Sequence, residues 1–249
     1  MRVALRGWWA AALAALAALA LLACTASQQE VATQDIVSII PWQAPEEATY
    51  RVLRDDKVIG RGLLRIEEEG NVLRLRQEFD SPGLGFRDTV TATVDRQTLK
   101  PLAVERVLSG PEGDRRWEVH YLGGMLEVRQ TGGGDEQRTD QIKVPQHSYD
   151  RLSDIFLWRT IDFRLGYRAS YNDMLTADLA RPQRKLVTIR VVSRELVPLP
   201  AGEFEAWRLE IRSAGRKELA WYSSGEQRLL LRYDNGDLIF ELEGAPAAA

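Results

Sequence analysis

Leu229-Leu230-Leu231-Arg232-Tyr233-Asp234-Asn235-Gly236-Asp237-Leu238-Ile239-Phe240-Glu241-Leu242 decides the fold class of this chain. Asn-Gly between two apolar runs is the strongest short-range hairpin signal, because both central residues of a type I′ turn need positive φ. Leu238, Phe240 and Leu242 alternate with Glu241 and Glu243, which places one face in a core and the other in water. The same period of two recurs upstream. Leu73, Leu75 and Phe79 alternate with Arg74, Arg76 and Glu78; Val90, Ala92 and Val94 with Thr89, Thr91 and Thr93; Trp117, Val119 and Tyr121 with Glu118 and His120. Downstream of these, Val187, Ile189 and Val191 alternate with Thr188 and Arg190, and Trp207, Leu209 and Ile211 with Arg208, Glu210 and Arg212. Alternation of this kind belongs to antiparallel sheets with one wet face.

Turn chemistry agrees. Gly123-Gly124, Asp55-Asp56-Lys57 and Gly70-Asn71 separate apolar runs, and Gly132-Gly133-Gly134 marks a loop. The expectation is an all-β, mainly antiparallel domain over residues 48–243, with about a dozen strands. A sheet of that size covers its apolar face by curling into a barrel, half-barrel or β-roll. One stretch departs from the pattern: Ser148 to Leu165 sets Leu152, Ile155, Phe156 and Arg159 at helical spacing, with Ser148 or Asp150 as cap. This predicts one helical insertion laid against the open side of the sheet. It either plugs the core or lines a ligand cavity.

The ends read differently. Arg2 and Arg6 precede an uncharged apolar run from Trp8 to Leu22, the pattern of an export signal over residues 1–23. Leu21-Leu22-Ala23-Cys24 resembles the lipobox of bacterial lipoproteins, in which the cysteine is acylated and becomes the new N-terminus. Cys24 is the chain's single cysteine, which excludes an internal disulfide and multi-cysteine metal sites. The reading is a protein of the cell envelope, anchored to a membrane through Cys24, with residues 24–47 as a flexible tether, in which the apolar Ile36 to Ile40 and Pro41-Trp42 are either a first element of the fold or a docking segment, and residues 244–249 as a disordered tail. Acyl chains on that cysteine contribute ~0.8 kcal/mol per buried methylene, enough in pairs for stable anchoring.

The 249 residues carry 33 Lys+Arg against 36 Asp+Glu, a net charge of -3. That acidic balance argues against nucleic acid as a partner. His120 and His147 fall in different elements with no ligand-spaced carboxylate, so no metal is expected. No nucleophile elbow, phosphate loop, dinucleotide fingerprint or calcium loop occurs, so no cofactor is expected either. Glu67-Glu68-Glu69 reads as a solvated strand end.

The polar residues of most interest are Asp150, Asp154 and Arg159. The two aspartates suit the N-terminal turn of the helix; Arg159 and Arg164 are candidates for bridging helix to sheet or for holding an anionic ligand. Trp117, Trp158, Trp207 and Trp221 occupy apolar-phase positions, in a core or an aromatic-lined groove. The site candidates are therefore Cys24 with Leu21, Leu22 and Ala23 for lipid attachment, and Asp150, Arg159, Trp158, Trp207 and Trp221 for ligand or helix–sheet contacts.

Tyr149-Asp150-Arg151-Leu152-Ser153 with Asp154-Ile155-Phe156-Leu157-Trp158-Arg159-Thr160 resembles the Asp-x-Leu-Ser segment, aromatic run and Arg of the bacterial envelope family catalogued as domain of unknown function 3108. Gly166, Arg194-Glu195-Leu196-Val197, Pro200-Ala201-Gly202-Glu203-Phe204-Glu205-Ala206-Trp207 and Leu219-Ala220-Trp221-Tyr222-Ser223-Ser224 continue that resemblance in order. Ser224-Gly225 departs from it, since the family more often has an acidic residue there. The resemblance implies a secreted or lipid-anchored β-rich domain with no established activity. Two functions stand as expectations. One is a non-enzymatic binding or scaffolding protein that holds a hydrophobic ligand in its concave face or engages another envelope protein. The other is an envelope hydrolase or glycan-modifying enzyme, which needs two carboxylates facing a cleft.

Overall fold

The structure is a computed structural model that describes residues 32–133, 137–177, 181–200 and 202–244. The export signal, Cys24 with its lipobox letters Leu21, Leu22 and Ala23, the first part of the tether, Gly134 and the tail beyond Gly244 lie outside the described residues. No helix among the described residues is long and apolar enough to cross a membrane.

Among the described residues fifteen strands form one sheet. The first arm holds β1 (Glu46–Arg54), β2 (Lys57–Glu69), β3 (Val72–Ser81), β4 (Phe86–Asp95), β5 (Pro101–Ser109), β6 (Arg115–Leu122), β7 (Met125–Gly132) and β8 (Arg138–Lys143). The second holds β9 (Ser148–Asp150), β10 (Arg168–Leu175), β11 (Gln183–Leu199), β12 (Gly202–Ser213), β13 (Arg216–Ser223), β14 (Leu230–Asp234) and β15 (Ile239–Gly244). The first arm is a meander, as is the second from β10 onward, and the arms join where β1 pairs antiparallel with β15. All pairings are antiparallel except β9 with β10.

This order forces curvature. The sheet's two edge strands are β8 and β9, which are consecutive in sequence and joined only by residues 144–147. Laid flat, fifteen strands at ~4.8 Å spacing separate those edges by about 67 Å. The connection spans at most ~18 Å fully extended. The sheet therefore curls until its edges nearly meet. Register shifts at Val52/Leu53, Thr93/Val94, Val191/Ser193 and Trp221/Tyr222 mark bulges that add the local bend.

The core lies inside the curl. Leu73, Leu75, Ala92, Val94, Val119, Leu126, Ile189, Leu209 and Leu242 are almost fully buried, while the alternating Arg and Thr positions face out. Gly123 and Gly124 both take positive φ between paired Leu122 and Met125, and Asp55 and Asp56 do so between Arg54 and Lys57, as type I′ turns require.

Three expectations are corrected. The Asn235-Gly236 loop has four residues rather than two, since Asp234 pairs with Ile239, and of its residues only Gly236 has positive φ. The Asn235 carboxamide oxygen accepts from the Asp237 and Leu238 amides and substitutes for the tight turn. The helix is far shorter than Ser148–Leu165: a 3₁₀ turn at Arg151–Ser153, helix α1 (Asp154–Leu157) and a 3₁₀ turn at Trp158–Thr160. Ser148–Asp150 is strand instead. The insertion stops short because its carbonyls find partners outside it. Gln77 donates to the Leu152 carbonyl, the Tyr222 hydroxyl to that of Ile155, and the Ser38 and Ile39 amides to that of Thr160.

The third correction concerns the tether. Residues 33–45 pack on the domain, with Ile36 and Trp42 buried, and β1 begins at Glu46 rather than Ala48. Asp35 pairs with Lys100 and lies 3.3 Å from His147 Nδ1. Burial pulls the Asp35 carboxyl upward, but Lys100 and His147 outweigh it and hold the group below its ordinary range.

Candidate functional site

The insertion crosses the interior of the curl and presents two kinds of surface. Its polar side chains meet a buried cluster. Asp150 caps the first turn, its Oδ1 accepting from the Leu152 amide at 2.9 Å. Its Oδ2 accepts from the Tyr121 hydroxyl at 2.6 Å and the Thr176 hydroxyl at 3.0 Å. Arg151 binds Asp154 at 3.1 Å and also pairs with Glu218 on β13, which accepts the Tyr233 hydroxyl at 2.6 Å. Trp158 Nε1 donates to the Tyr171 hydroxyl at 2.9 Å.

Asp173 on β10 completes the cluster. It is fully buried, and neither carboxylate oxygen has a hydrogen-bond partner among the described residues. Burial, reinforced by the neighbouring Asp154 charge, pushes its pKa well above the carboxylate range. Asp154 also moves up, through burial that Arg151 only partly offsets. Asp150 is pushed up to about 6 by burial, against the hydrogen bonds from Tyr121, Leu152 and Thr176. The acids that sequence spacing does not bring together thus meet inside the fold, closed off from solvent. Among the described residues no group of three His, Cys, Asp or Glu side chains has the arrangement to hold a metal.

The apolar side chains of the insertion face a cavity. Leu152 and Ile155 line one wall of a space of about 430 Å³, within the ~300–1,000 Å³ of small-molecule sites. Leu64, Phe79, Val90 and Phe240 supply much of the rest. Gly62 also borders it: a Cβ there would sit 3.4 Å from both Tyr50 Cβ and Phe240 Cδ1, in close contact with each.

The polar groups on the lining are largely occupied. The Tyr50 hydroxyl donates to the Leu230 carbonyl at 3.0 Å, Gln77 holds the Leu152 carbonyl, and Tyr233 holds Glu218. Asp88 takes a two-pronged pairing from Arg106, at 2.8 and 2.6 Å, and Glu78 binds Arg76 at 2.7 Å. Hydrogen bonding thus turns the interior polar atoms toward the protein and leaves a greasy wall.

Of the sequence-derived site residues, Asp150, Trp158 and Arg159 make helix–sheet contacts. Arg159 bridges insertion to sheet, its two Nη atoms 2.6 and 2.8 Å from the Glu46 oxygens and its Nε 2.8 Å from the Gln227 carbonyl. Asp150 joins the insertion to β6, and Trp158 joins it to β10. Trp207 packs near Phe163, with the Arg194 guanidinium 5.4 Å from its ring centre. Trp221 donates to Glu195 at 2.8 Å and is buried beside Arg232. None of the five lines the cavity. Sequence reading left open whether the insertion plugs the core or lines a cavity, and Leu152 and Ile155 do line one; it missed Asp173, Glu218 and the sheet residues that form the other walls. The available signals were the polar Tyr171-Asn172-Asp173 run within a buried strand, and Gly60 and Gly62 two apart on β2.

This architecture defines a class: a single antiparallel sheet curled into a barrel-like shell around a short helical plug. The chain belongs to the family described as protein of unknown function DUF3108, whose model matches residues 47–242. Among solved structures it is similar to a β-barrel-like protein of domain of unknown function DUF1849 from Brucella abortus, at 12% identity and a TM-score of 0.54, covering 82% of this chain and 98% of that one. A putative exported protein with a YmcC-like fold from Bacteroides fragilis aligns at 12% identity and a TM-score of 0.34, over 85% and 100% of the two chains. No curated protein matches the chain.

Proposed function

We propose that this protein is a lipid-anchored cell-envelope component that binds an apolar ligand in the cavity beside the insertion and does no chemistry on it. The observation that carries the reading is the cavity of about 430 Å³, apolar in its walls, with interior polar atoms already engaged within the protein. Apolar surface left open in this way is stabilised by a ligand that covers it, at about 25 cal/mol per Å² removed from water. The buried acids favour binding over hydrolysis, because a general acid must reach its substrate and Asp150, Asp154 and Asp173 are almost fully buried. The anchor rests on the lipobox-like Leu21-Leu22-Ala23-Cys24 following an apolar run.

The test is native mass spectrometry of the full chain purified from its own host. An apolar adduct is expected on the wild type and its loss on Leu64→Trp, which fills the cavity from β2. A wild type without adduct, or an adduct indifferent to Leu64→Trp, overturns the reading. Radiolabelled palmitate should enter the wild type and not Cys24→Ala; equal labelling removes the anchor.

A further inference from the structure

We infer that the cavity takes a single-chain amphiphile with an anionic head, the hydrocarbon chain inside and the head at Arg54 and Asn235. This rests on the cavity being a ligand site and adds the class of ligand. Arg54 closes β1 in the same alternation phase as Tyr50 and Val52, and it lines the cavity at the sheet's rim. It is exposed and has no ion pair or hydrogen bond among the described residues. The other charged groups on the lining, Glu78 and Asp88, are neutralised by Arg76 and Arg106.

Asn235 lines the same rim. The amides of Asp237 and Leu238 occupy its carboxamide oxygen, so the group it can offer a ligand is its Nδ2 donor. The rim therefore presents a guanidinium and an amide N–H with no acceptor assigned to either. Guanidinium groups match carboxylate and phosphate oxygens in two-pronged geometry. An uncharged chain would leave both donors to water, and a cationic head would meet Arg54 as a like charge.

Competition in native mass spectrometry tests this on the full chain held in non-ionic detergent. Myristate, myristyl phosphate, myristyl alcohol and myristyltrimethylammonium are offered together. The two anions are expected to be retained roughly tenfold more than the alcohol, the gain of one charge-assisted hydrogen-bonded pair, and the cation least. Preference for the carboxylate would point to free fatty acids, and preference for the phosphate to lysophospholipid-type heads. Arg54→Gln should bring the anions down to the alcohol without changing the alcohol, and Arg54→Lys should keep part of the preference. Lys57→Gln, on the same turn, should leave it intact. Equal retention of alcohol and anions, or an anion preference that survives Arg54→Gln, overturns the inference and leaves the apolar-ligand reading standing. Retention of none of the probes overturns both.

Discussion

Arg159 lies against Glu46 in a two-pronged ion pair, Nη1 2.6 Å from Oε1 and Nη2 2.8 Å from Oε2, with side chains only 5% and 9% exposed. The pair ties the end of the insertion to the first strand, and the Trp42 ring lies 5.3 Å from the guanidinium. Removing one partner leaves the other charge buried and alone, which costs ~3–5 kcal/mol. Arg159→Met should therefore lower stability by that order in urea unfolding. Adding Glu46→Gln to it should recover part of the loss. A strictly additive double variant would mean the two residues act independently.

The buried acids give the domain an unusual pH dependence. Asp150 titrates near pH 6 when folded and at 3.8 in its ordinary state, and Asp154 and Asp173 shift in the same direction. Between those limits the folded state holds protons that the unfolded state has released, so stability falls as pH rises through this window. Asp150 alone costs about 3 kcal/mol at neutral pH by this linkage. Groups facing the cluster include Arg151, Glu218, Tyr121, Tyr171 and Tyr233. Surface acids such as Glu195 and Glu210 shift downward through hydrogen bonds, so their contribution is lost in stronger acid. The melting temperature should rise from neutral pH to a maximum around pH 5 and fall below it. Asp173→Asn removes one titrating group from the cluster and should raise the neutral-pH melting temperature while flattening the slope. An unchanged slope would exclude Asp173 as a contributor.

How much of this was legible beforehand depended on the range of the interactions. Alternation in β3, β4, β6 and β11 reports a local face, and those residues are buried as their spacing predicts, save the half-buried Phe79 and Tyr121. The doubly glycine turn at Gly123-Gly124 is likewise a local matter. Asn235-Gly236 misled because its side chain competes with the backbone for the turn's amides. The insertion shows helical spacing, yet Gln77 and Tyr222, distant in sequence, take the carbonyls a longer helix would need. Ile36 and Trp42 lie in a short apolar stretch within a polar segment, and they become core because the curl brings β10 and the insertion to them. The cavity brings Gly62, Tyr50 and Phe240 together across two strand pairings, one joining the first strand to the last. No local window contains that relationship.

Ala214 occupies the β12–β13 turn with φ 48°, followed by Gly215 at 82°. A left-handed backbone costs a residue with Cβ ~1–2 kcal/mol. Glycine avoids that cost but loses more entropy on folding, ~0.5–1 kcal/mol. Ala214→Gly should therefore stabilise the domain by about 0.5–1 kcal/mol, read as a higher urea midpoint at constant slope. A lower midpoint would show that the turn relaxes around alanine.

Tyr121 and Asp150 offer a final test of the buried network, because the hydroxyl donates to a carboxylate that burial already disfavours. Tyr121→Phe removes that donor and leaves Thr176 alone on Oδ2. The ionised form of Asp150 then loses support, so its titration midpoint should move above pH 6, followed by carbonyl-carbon NMR of the labelled protein. The same loss costs ~1–3 kcal/mol at neutral pH, where the group is largely ionised. In mild acid Asp150 is protonated in both proteins and the penalty should shrink. A destabilisation independent of pH would instead assign the tyrosine a packing role, with its hydroxyl incidental to the charge on Asp150.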